Sequence, residues 1–269
     1  MNSLKIYDTN GKEIGKIEMP EQFNQQIKYT LIKKCVLALR ANARQKYGAD
    51  PLAGQKCVAN MSHRRRKFNT AYGSGQSRIP RMRFSRKGTQ FHRRGAFISS
   101  TIGGRRAHPP KAEKNWTQKI NKKENRTAIR SALSASLNKT IVEKRGHKLG
   151  SLYPFILDDS FKDIKKTKQV KESLLKLDLN DELKRVETRK IRAGHGKVRG
   201  RRYVTKSGPL IVVDNDCDLK KSARNILGIE IVKVNQINAK LLAPGSQPGR
   251  LTLFTKSAIE TMQKNKLFM

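Results

Sequence analysis

A run of 62 residues without a carboxylate limits the possible folds of this chain most strongly. Positions 51 to 112 contain no Asp or Glu, although Asp50 precedes the run and Glu113 follows it. Fifteen basic residues lie within it: Lys56, Arg64, Arg65, Arg66, Lys67, Arg78, Arg81, Arg83, Arg86, Lys87, Arg93, Arg94, Arg105, Arg106 and Lys111. Because no acid offsets them, these charges repel one another, and a compact arrangement needs negative charge from outside.

The run also lacks the apolar pattern that would let it fold alone. Its apolar residues are too sparse and irregular to predict a helical or strand face, and seven glycines interrupt any longer element. Such a segment cannot bury enough apolar surface to offset the entropy lost on ordering. We expect it to be disordered in isolation, or ordered by a polyanion.

Aromatic rings are scattered between these cations. An inert solvated linker needs neither the charge nor the rings, whereas Arg with interleaved aromatic side chains suits phosphates and unstacked bases. The run therefore favours RNA binding over a linker role. The rings belong to Phe68, Tyr72, Phe84, Phe91, His92 and Phe97.

The charge of the whole chain points to the same class of partner. Lys and Arg number 59 against 21 Asp and Glu, a formal net charge of +38. A membrane surface is the other common polyanion, but the sequence has neither a long apolar run nor a lysine-rich amphipathic helix. Residues 1 to 8 lack the pattern of a secretory signal, so we expect a cytoplasmic protein. The three cysteines are far apart and are expected to be reduced thiols.

Outside the run, helical and strand patterns alternate. The Asn10-Gly11 step predicts a hairpin between Leu4–Tyr7 and Glu13–Ile17. Helices are expected from Pro20 to near Gly48 and from Thr127 to Val142. Further strands are expected at 155–157, 210–213, 229–234 and 251–254, and further helices at 170–177, 181–186, 235–242 and 255–264.

This alternation predicts an α/β fold, a three-layer αβα body with a mainly parallel sheet. Residues 1–50 and 113–269 are expected to form one globular α/β domain. Residues 51–112 are expected to form a long, irregular basic extension inserted between two helices.

A second acid-free cluster runs from Arg189 to Tyr203. Its glycines would allow the backbone to approach phosphates, which favours a binding loop over a solvated turn. The candidate contacts here are Arg192, His195, Lys197, Arg199, Arg201 and Arg202.

Signals for catalysis or a bound cofactor are missing. There is no Walker pattern, and Gly194-x-Gly196 lacks the third glycine of a dinucleotide turn. Asp214, Asp216 and Asp218 resemble the start of a calcium loop, but later positions depart from it, so they are interpreted as caps of the strand end and next helix. We expect no enzymatic activity, no metal site and no cofactor.

Several ordered motifs carry a family resemblance over nearly the full chain. They are Ser77–Arg83 (SRIPRMR), Lys87–Thr89 (KGT), Gly103–Lys111 (GGRRAHPPK), Arg192–Arg202 (RAGHGKVRGRR) and Leu242–Gly245 (LAPG). Together they resemble ribosomal protein four of the large subunit, in its archaeal and eukaryotic branch. With an end at Met269, the chain is similar in size to archaeal members.

The resemblance implies a structural role in the large ribosomal subunit. The body would lie on the subunit surface, and the extension would enter the rRNA and narrow the nascent-peptide exit tunnel. Expected partners are large-subunit rRNA, ribosomal protein twenty-two, other large-subunit proteins and the nascent polypeptide. Eukaryotic members carry consecutive glycines where Ser85–Gly88 stands here.

Motif position and charge together select the site residues. The tunnel-lining tip comprises Arg83, Phe84, Ser85, Arg86, Lys87, Gly88, Thr89 and Gln90. The expected rRNA contacts are Arg64, Arg65, Arg66, Lys67, Arg78, Arg81, Arg83, Arg93, Arg94, Arg105, Arg106, His108 and Lys111, with the six residues of the second cluster.

Two other functions remain open at this point. The charge alone permits a DNA- or RNA-binding regulatory protein, although no helix-turn-helix, zinc finger or basic zipper is present. An RNA-modifying enzyme on an α/β core would need a glycine-rich cofactor loop and an acidic partner, and neither is found.

Overall fold

The computed structural model describes residues 3–67, 70–88 and 90–269. The chain divides into two compact units. The first, here called the body, comprises Met1–Ala43 and Thr117–Met269, and the second, here called the arm, comprises Arg44–Trp116. These boundaries fall a few residues outside those expected from the acid-free run.

The described residues form strands and helices in the following order. The strands are β1 (Ser3–Tyr7), β2 (Glu13–Glu18), β3 (Arg81–Lys87), β4 (Gln90–Gly95), β5 (Ile156–Leu157), β6 (Lys190–Ile191), β7 (Tyr203–Val204), β8 (Leu210–Val213), β9 (Glu230–Lys233) and β10 (Thr252–Thr255). The helices are α1 (Tyr29–Asn42), α2 (Lys122–Leu137), α3 (Lys139–Lys144), α4 (Thr167–Lys176), α5 (Asn180–Glu187), α6 (Asp218–Ala223), α7 (Ala239–Leu242) and α8 (Lys256–Lys264).

The body is organised around a six-stranded sheet in the order β2-β1-β5-β10-β8-β9. Only the β1–β2 hairpin is antiparallel, and the other four pairings are parallel. The predicted α/β class with a mainly parallel sheet is confirmed. No helix in the described part of the chain has the length and apolar character needed to cross a bilayer.

Two hydrophobic cores lie on the two faces of this sheet. Along β8, Leu210 and Val212 join the first core, while Ile211 and Val213 join the second, because side chains alternate across a strand. Helices α1, α2, α7 and α8 contribute to the first core, and α3, α4, α5 and α6 to the second. Burial on both faces explains why β8 is apolar throughout.

Several predicted helices are shorter than expected. Helix α1 begins at Tyr29 instead of Pro20, since Gln26 and Lys28 are bound through their backbone to the Ser131 hydroxyl of α2 at 2.7 and 3.3 Å. The helix expected from Thr127 to Val142 is two helices, because the Asn138 side chain accepts a hydrogen bond from the Thr140 backbone and caps α3. Local hydrogen bonding of this kind competes with helix continuation.

The arm contains one element that its sequence did not predict. Strands β3 and β4 form an antiparallel hairpin, with Arg81 opposite Gly95 and Lys87 opposite Gln90. The expectation that the acid-free run forms no strand was therefore wrong at this place. A hairpin is held by backbone hydrogen bonds, so it does not need the apolar face that the sequence lacks, although an isolated hairpin is at best marginally stable in water.

We expect Phe254→Ala to lower the free energy of unfolding by about 3 to 5 kcal/mol, as large core truncations do. Phe254 lies in the central strand β10, and its ring meets that of Phe23 edge-on at 5.2 Å. Urea denaturation of the full chain measures the change. The control is Leu37→Ala on α1, where the side chain is 46% exposed. Equal losses in the two variants would contradict the central position of β10.

Candidate nucleic-acid interface

The arm has almost no hydrophobic core. Within its described residues, the buried apolar side chains are those of Ala71 and Ala96, while Val58, Phe84 and Ile102 are 93%, 63% and 82% exposed. Two alanines cannot stabilise a unit of this length. The conformation of the arm therefore depends on backbone contacts and on whatever binds its surface.

Close backbone contacts join the outgoing segment of the arm (residues 44–80) to its returning segment (residues 96–116). The Ala49 amide donates to the Pro110 carbonyl at 3.0 Å. A Cβ on Gly54, which has φ +79°, would lie 2.5 Å from the Gly104 carbonyl carbon. Only glycine allows this approach, so Gly54 has a packing role beyond flexibility.

A cluster of rings and cations closes the base of the arm. Tyr47 stacks on Trp116 with 6.0 Å between ring centroids. The Arg44 guanidinium carbon and the Lys114 ammonium lie 4.4 and 4.3 Å from the Trp116 ring centroid. Such cation–π contacts contribute about 0.5 to 1 kcal/mol each at exposed sites. Sequence analysis missed this cluster, although its signal was present in the single Trp of the chain among basic residues.

Three predicted contacts converge at a cleft in the arm. Arg105, Arg106 and Lys111 line a space of about 400 Å³, together with two carboxylates, Asp50 and Glu113, and several Ala and Pro residues. All three side chains are exposed. Guanidinium and ammonium groups around an open cleft suit phosphate oxygens, which accept charge-assisted hydrogen bonds.

Like charges face each other across the β3–β4 hairpin. Arg83 lies directly opposite Arg93 in the register of the two strands. Burial, followed by the charges of Arg83 and Arg81, lowers the pKa of Arg93. Cations opposite one another destabilise a hairpin. An anion between them would relieve this repulsion.

The expected tip residues lie at the turn of this hairpin. The side chains of Phe84, Ser85, Arg86, Lys87 and Gln90 are exposed. Gly88 takes a positive φ of 58° at the turn. Thr89, the remaining tip residue of the prediction, lies outside the described residues.

Most other predicted contacts in the arm are exposed, and some of them also make contacts within the arm. The Arg81 guanidinium donates to the Ser77 carbonyl at 3.1 Å and to its hydroxyl at 2.8 Å, so it also shapes the arm. The Arg78 guanidinium lies over the Tyr72 ring at 4.8 Å. The exposed members are Arg64, Arg65, Arg66, Lys67, Arg78, Arg83, Arg94, Arg105, Arg106, His108 and Lys111.

The second basic cluster forms a separate site on the body, here called the basic hairpin (residues 189–204). Strands β6 and β7 pair antiparallel, and Gly194 and Gly200 between them take positive φ values of 76° and 77°. Arg192 stabilises this loop, because its Nε donates a hydrogen bond to the Arg201 carbonyl at 3.0 Å. His195, Lys197, Arg199, Arg201 and Arg202 remain exposed.

A buried ion network anchors the chain that leaves the basic hairpin. Glu182 in α5 is fully buried and accepts hydrogen bonds from Nε and Nη2 of Arg185, each at 2.7 Å. Nη2 of Arg185 also donates to the Ser207 carbonyl at 2.7 Å. His147 Nδ1 lies 2.7 Å from Glu182. The network therefore links α5 to the segment between β7 and β8.

Burial and hydrogen bonding act in opposite directions on this network. Burial would raise the pKa of Glu182, but the bonds from Arg185 and His147 outweigh it and hold the pKa below its usual value. Burial lowers the pKa of His147, even though Glu182 favours its charged form. The structure thus favours an ionised Glu182 beside a neutral His147.

The fold and these surfaces define a class, a strongly basic α/β protein whose coreless arm and basic hairpin present cations on exposed loops. Comparison with known families gives the particular member of that class. Residues 17–265 match the family described as "Ribosomal protein L4/L1 family". The chain belongs to this family of ribosomal proteins, which confirms the resemblance carried by its motifs.

Similar proteins span the whole chain. It is 46% identical over 266 residues to large ribosomal subunit protein uL4 of Nanoarchaeum equitans. The aligned residues cover 98% of this chain and 99% of that protein. It is 41% identical to uL4 of Methanosphaera stadtmanae over 273 residues, or 99% and 100% of the two chains. With uL4 of Archaeoglobus fulgidus the identity is 40% over 257 residues, or 95% and 96%.

The ion network predicts loss of stability in acid. Glu182 contributes stability above its ordinary pKa of 4.5 that is lost as the pH falls through its lower folded-state pKa. His147 acts in the same direction, because its folded-state pKa lies below 6.5 and protonation in the unfolded chain is favoured as the pH falls below that value. The free energy of unfolding should therefore decrease from pH 7 to pH 4.

His147→Asn isolates the histidine contribution, since the amide can replace the Nδ1 donor but does not titrate. We expect this variant to flatten the pH dependence between about pH 7 and pH 5, where a normal histidine titrates. Urea denaturation across this range measures it, with His195→Asn on the exposed basic hairpin as the control. An unchanged slope in His147→Asn would contradict the role assigned to the buried ring.

Proposed function

We propose that this chain is a structural constituent of the large ribosomal subunit that binds and organises rRNA, and that its arm lines and narrows the nascent-peptide exit tunnel. The family membership supports the ribosomal role. The relatives named above are large-subunit proteins, which supports placement in that subunit.

The observation that carries rRNA binding is an arm with many cations and almost no core. Residues 51–112 bring fifteen Lys and Arg and no acid, while the buried apolar side chains among the described residues of the arm are two alanines. Internal contacts, such as that of Arg78 with the Tyr72 ring and that of Lys56 with Asp50, cannot neutralise this excess of positive charge. Phosphates supply the missing charge, and unstacked bases supply partners for the rings.

The mechanism follows from the shape and charge of the two sites. An irregular arm can follow a cleft between rRNA helices that a helix could not enter, and its cations reduce the repulsion between their phosphates. Arginine provides forked contacts that stack as well as pair, and lysine provides charge. The basic hairpin gives a second point of attachment from the body.

The hairpin tip is assigned to the tunnel wall. Arg83 to Lys87 lie at the end of β3, Gly88 lies at the turn and Gln90 begins β4. A narrow two-stranded element suits a wall that must approach the passage without filling it. In this assignment the tip faces the nascent polypeptide, with ribosomal protein twenty-two across the tunnel.

Binding to large-subunit rRNA should weaken steeply with salt. Each phosphate contact contributes roughly 0.7 to 0.9 to the slope of log affinity against log salt, so Arg105→Gln with Arg106→Gln should reduce the slope by about 1.5. Filter binding or anisotropy measures it. The matched control is Lys264→Gln with Lys266→Gln, two exposed positions at the end of the body.

Two results would count against rRNA binding by the arm. One is an unchanged salt slope in the Arg105 and Arg106 variant. The other is preferential displacement of bound rRNA by duplex DNA, which would favour the DNA-binding alternative.

The tunnel assignment is tested separately in assembled particles. A photoreactive group at Arg86 should crosslink to the nascent chain or to tunnel-wall rRNA, because this side chain lies beside the hairpin turn and is exposed. The same group at Lys264 on the body is the control and should label neither. Exclusive labelling of RNA on the outer solvent surface from Arg86 would disprove the assignment.

A further inference from the structure

One edge of the body sheet is open. Strand β9 ends the sheet and pairs only with β8 among the described residues. The Glu230 amide donates to the Pro209 carbonyl at 3.2 Å, toward β8. Since backbone groups alternate in direction along a strand, those of Ile231 and Lys233 are directed away from β8. They present the donors and acceptors that another strand would use.

An apolar cleft runs along this open edge. It has a volume of about 690 Å³. Ile231 packs with the core on one face of the sheet and Val232 with the core on the other, so the cleft follows both sides of the strand. An open edge with partly exposed Ile and Val is normally covered in a native protein. The other apolar lining residues are Ile229, Cys217 and Leu241.

The rim of the cleft has more cations than carboxylates, and its two carboxylates, Asp216 and Glu230, are each paired with a cation of the body. Lys221 and Arg224 of the α6 region are exposed, and neither lies within 4.0 Å of a carboxylate in the described part of the chain. Lys220 and Lys233 are different, because both pair with Asp216, at 3.3 and 2.5 Å. The unpaired cations therefore stand beside the apolar cleft.

From these three features we infer that β9 is a docking site for an extended, carboxylate-bearing segment of a partner protein, which adds to the sheet as a seventh strand. Its backbone pairs with Ile231 and Lys233, its apolar side chains enter the cleft, and its carboxylates meet Lys221 and Arg224. An RNA backbone would satisfy the cations, but it would leave the apolar walls and the strand edge unmatched.

This docking site does not rest on the proposed binding of rRNA. It concerns the body sheet, whereas the rRNA proposal is carried by the arm and the basic hairpin. Failure of either proposal leaves the other standing, and the two are measured with different ligands.

Three probes applied to the full chain test the inference. The first is a capped peptide of about eight residues that alternates Val and Glu, a length suited to one strand. The second has two of its valines replaced by proline, which keeps the charge but prevents strand pairing. The third is a single-stranded RNA oligonucleotide. Binding is measured at about 0.3 M salt, where screening suppresses non-specific attraction.

Amide hydrogen exchange locates the bound peptide. The Val-Glu peptide is expected to slow exchange at Ile231 and Lys233, and the proline peptide is expected not to. The inference is overturned if the Val-Glu peptide leaves both amides unprotected, if the proline peptide protects them equally, or if the RNA oligonucleotide protects them more strongly than the peptide.

Charge reversal tests the rim. Lys221→Glu with Arg224→Glu should weaken binding of the Val-Glu peptide at least about tenfold, because two attractions become repulsions. The matched control is Lys12→Glu with Lys16→Glu, exposed positions on and beside β2 at the opposite edge of the sheet, which should leave the affinity within about twofold. Circular dichroism checks that both variants remain folded. Equal weakening in the two variants would overturn the assignment of the rim.

Discussion

Electrostatic repulsion among its cations determines which conformations the arm can adopt. Fifteen cations lie between Asp50 and Glu113 with no acid among them, and the described residues of the arm bury only two apolar side chains. The arm contains two acids, Asp50 and Glu113, which are too few to offset that repulsion, and Arg83 lies opposite Arg93 in the hairpin. In the proposed function, the phosphates of rRNA supply the negative charge that the arm lacks.

The body follows the opposite rule. Several of its carboxylates pair with buried or partly buried cations, as in Glu182 with Arg185, Glu230 with Arg250, and Asp159 and Asp214 with Lys162. Two apolar cores then fix the sheet. The same buried network that stabilises α5 also binds Ser207, so the segment that follows the basic hairpin is attached to a buried ion pair. Lys221 and Arg224, which form no ion pair in the described part of the chain, border an open strand.

Much of the fold followed from local patterns, and the departures have identifiable causes. The alternation of strands and helices indicated the α/β class, and Asn10-Gly11 indicated the β1–β2 hairpin. Helix α1 starts late because Ser131, over a hundred residues away in sequence, binds the segment before it. The β3–β4 hairpin was missed because backbone pairing leaves no apolar signature. For the interface, the exposed cations were predicted from charge, but Trp116 and its partners were not, since their contacts join distant parts of the arm.

The sequence alone predicted a nucleic-acid partner from the net charge and the acid-free run, and an α/β fold from the hydrophobic periodicity. These properties do not depend on how the chain folds. Its ordered motifs also indicated the family to which the chain belongs. Which cations are engaged internally, as Arg81 and Arg192 are, and which stay exposed became visible only in the folded protein. The same holds for β9 as an open edge beside an apolar cleft, because strand order is set by packing between segments far apart along the chain.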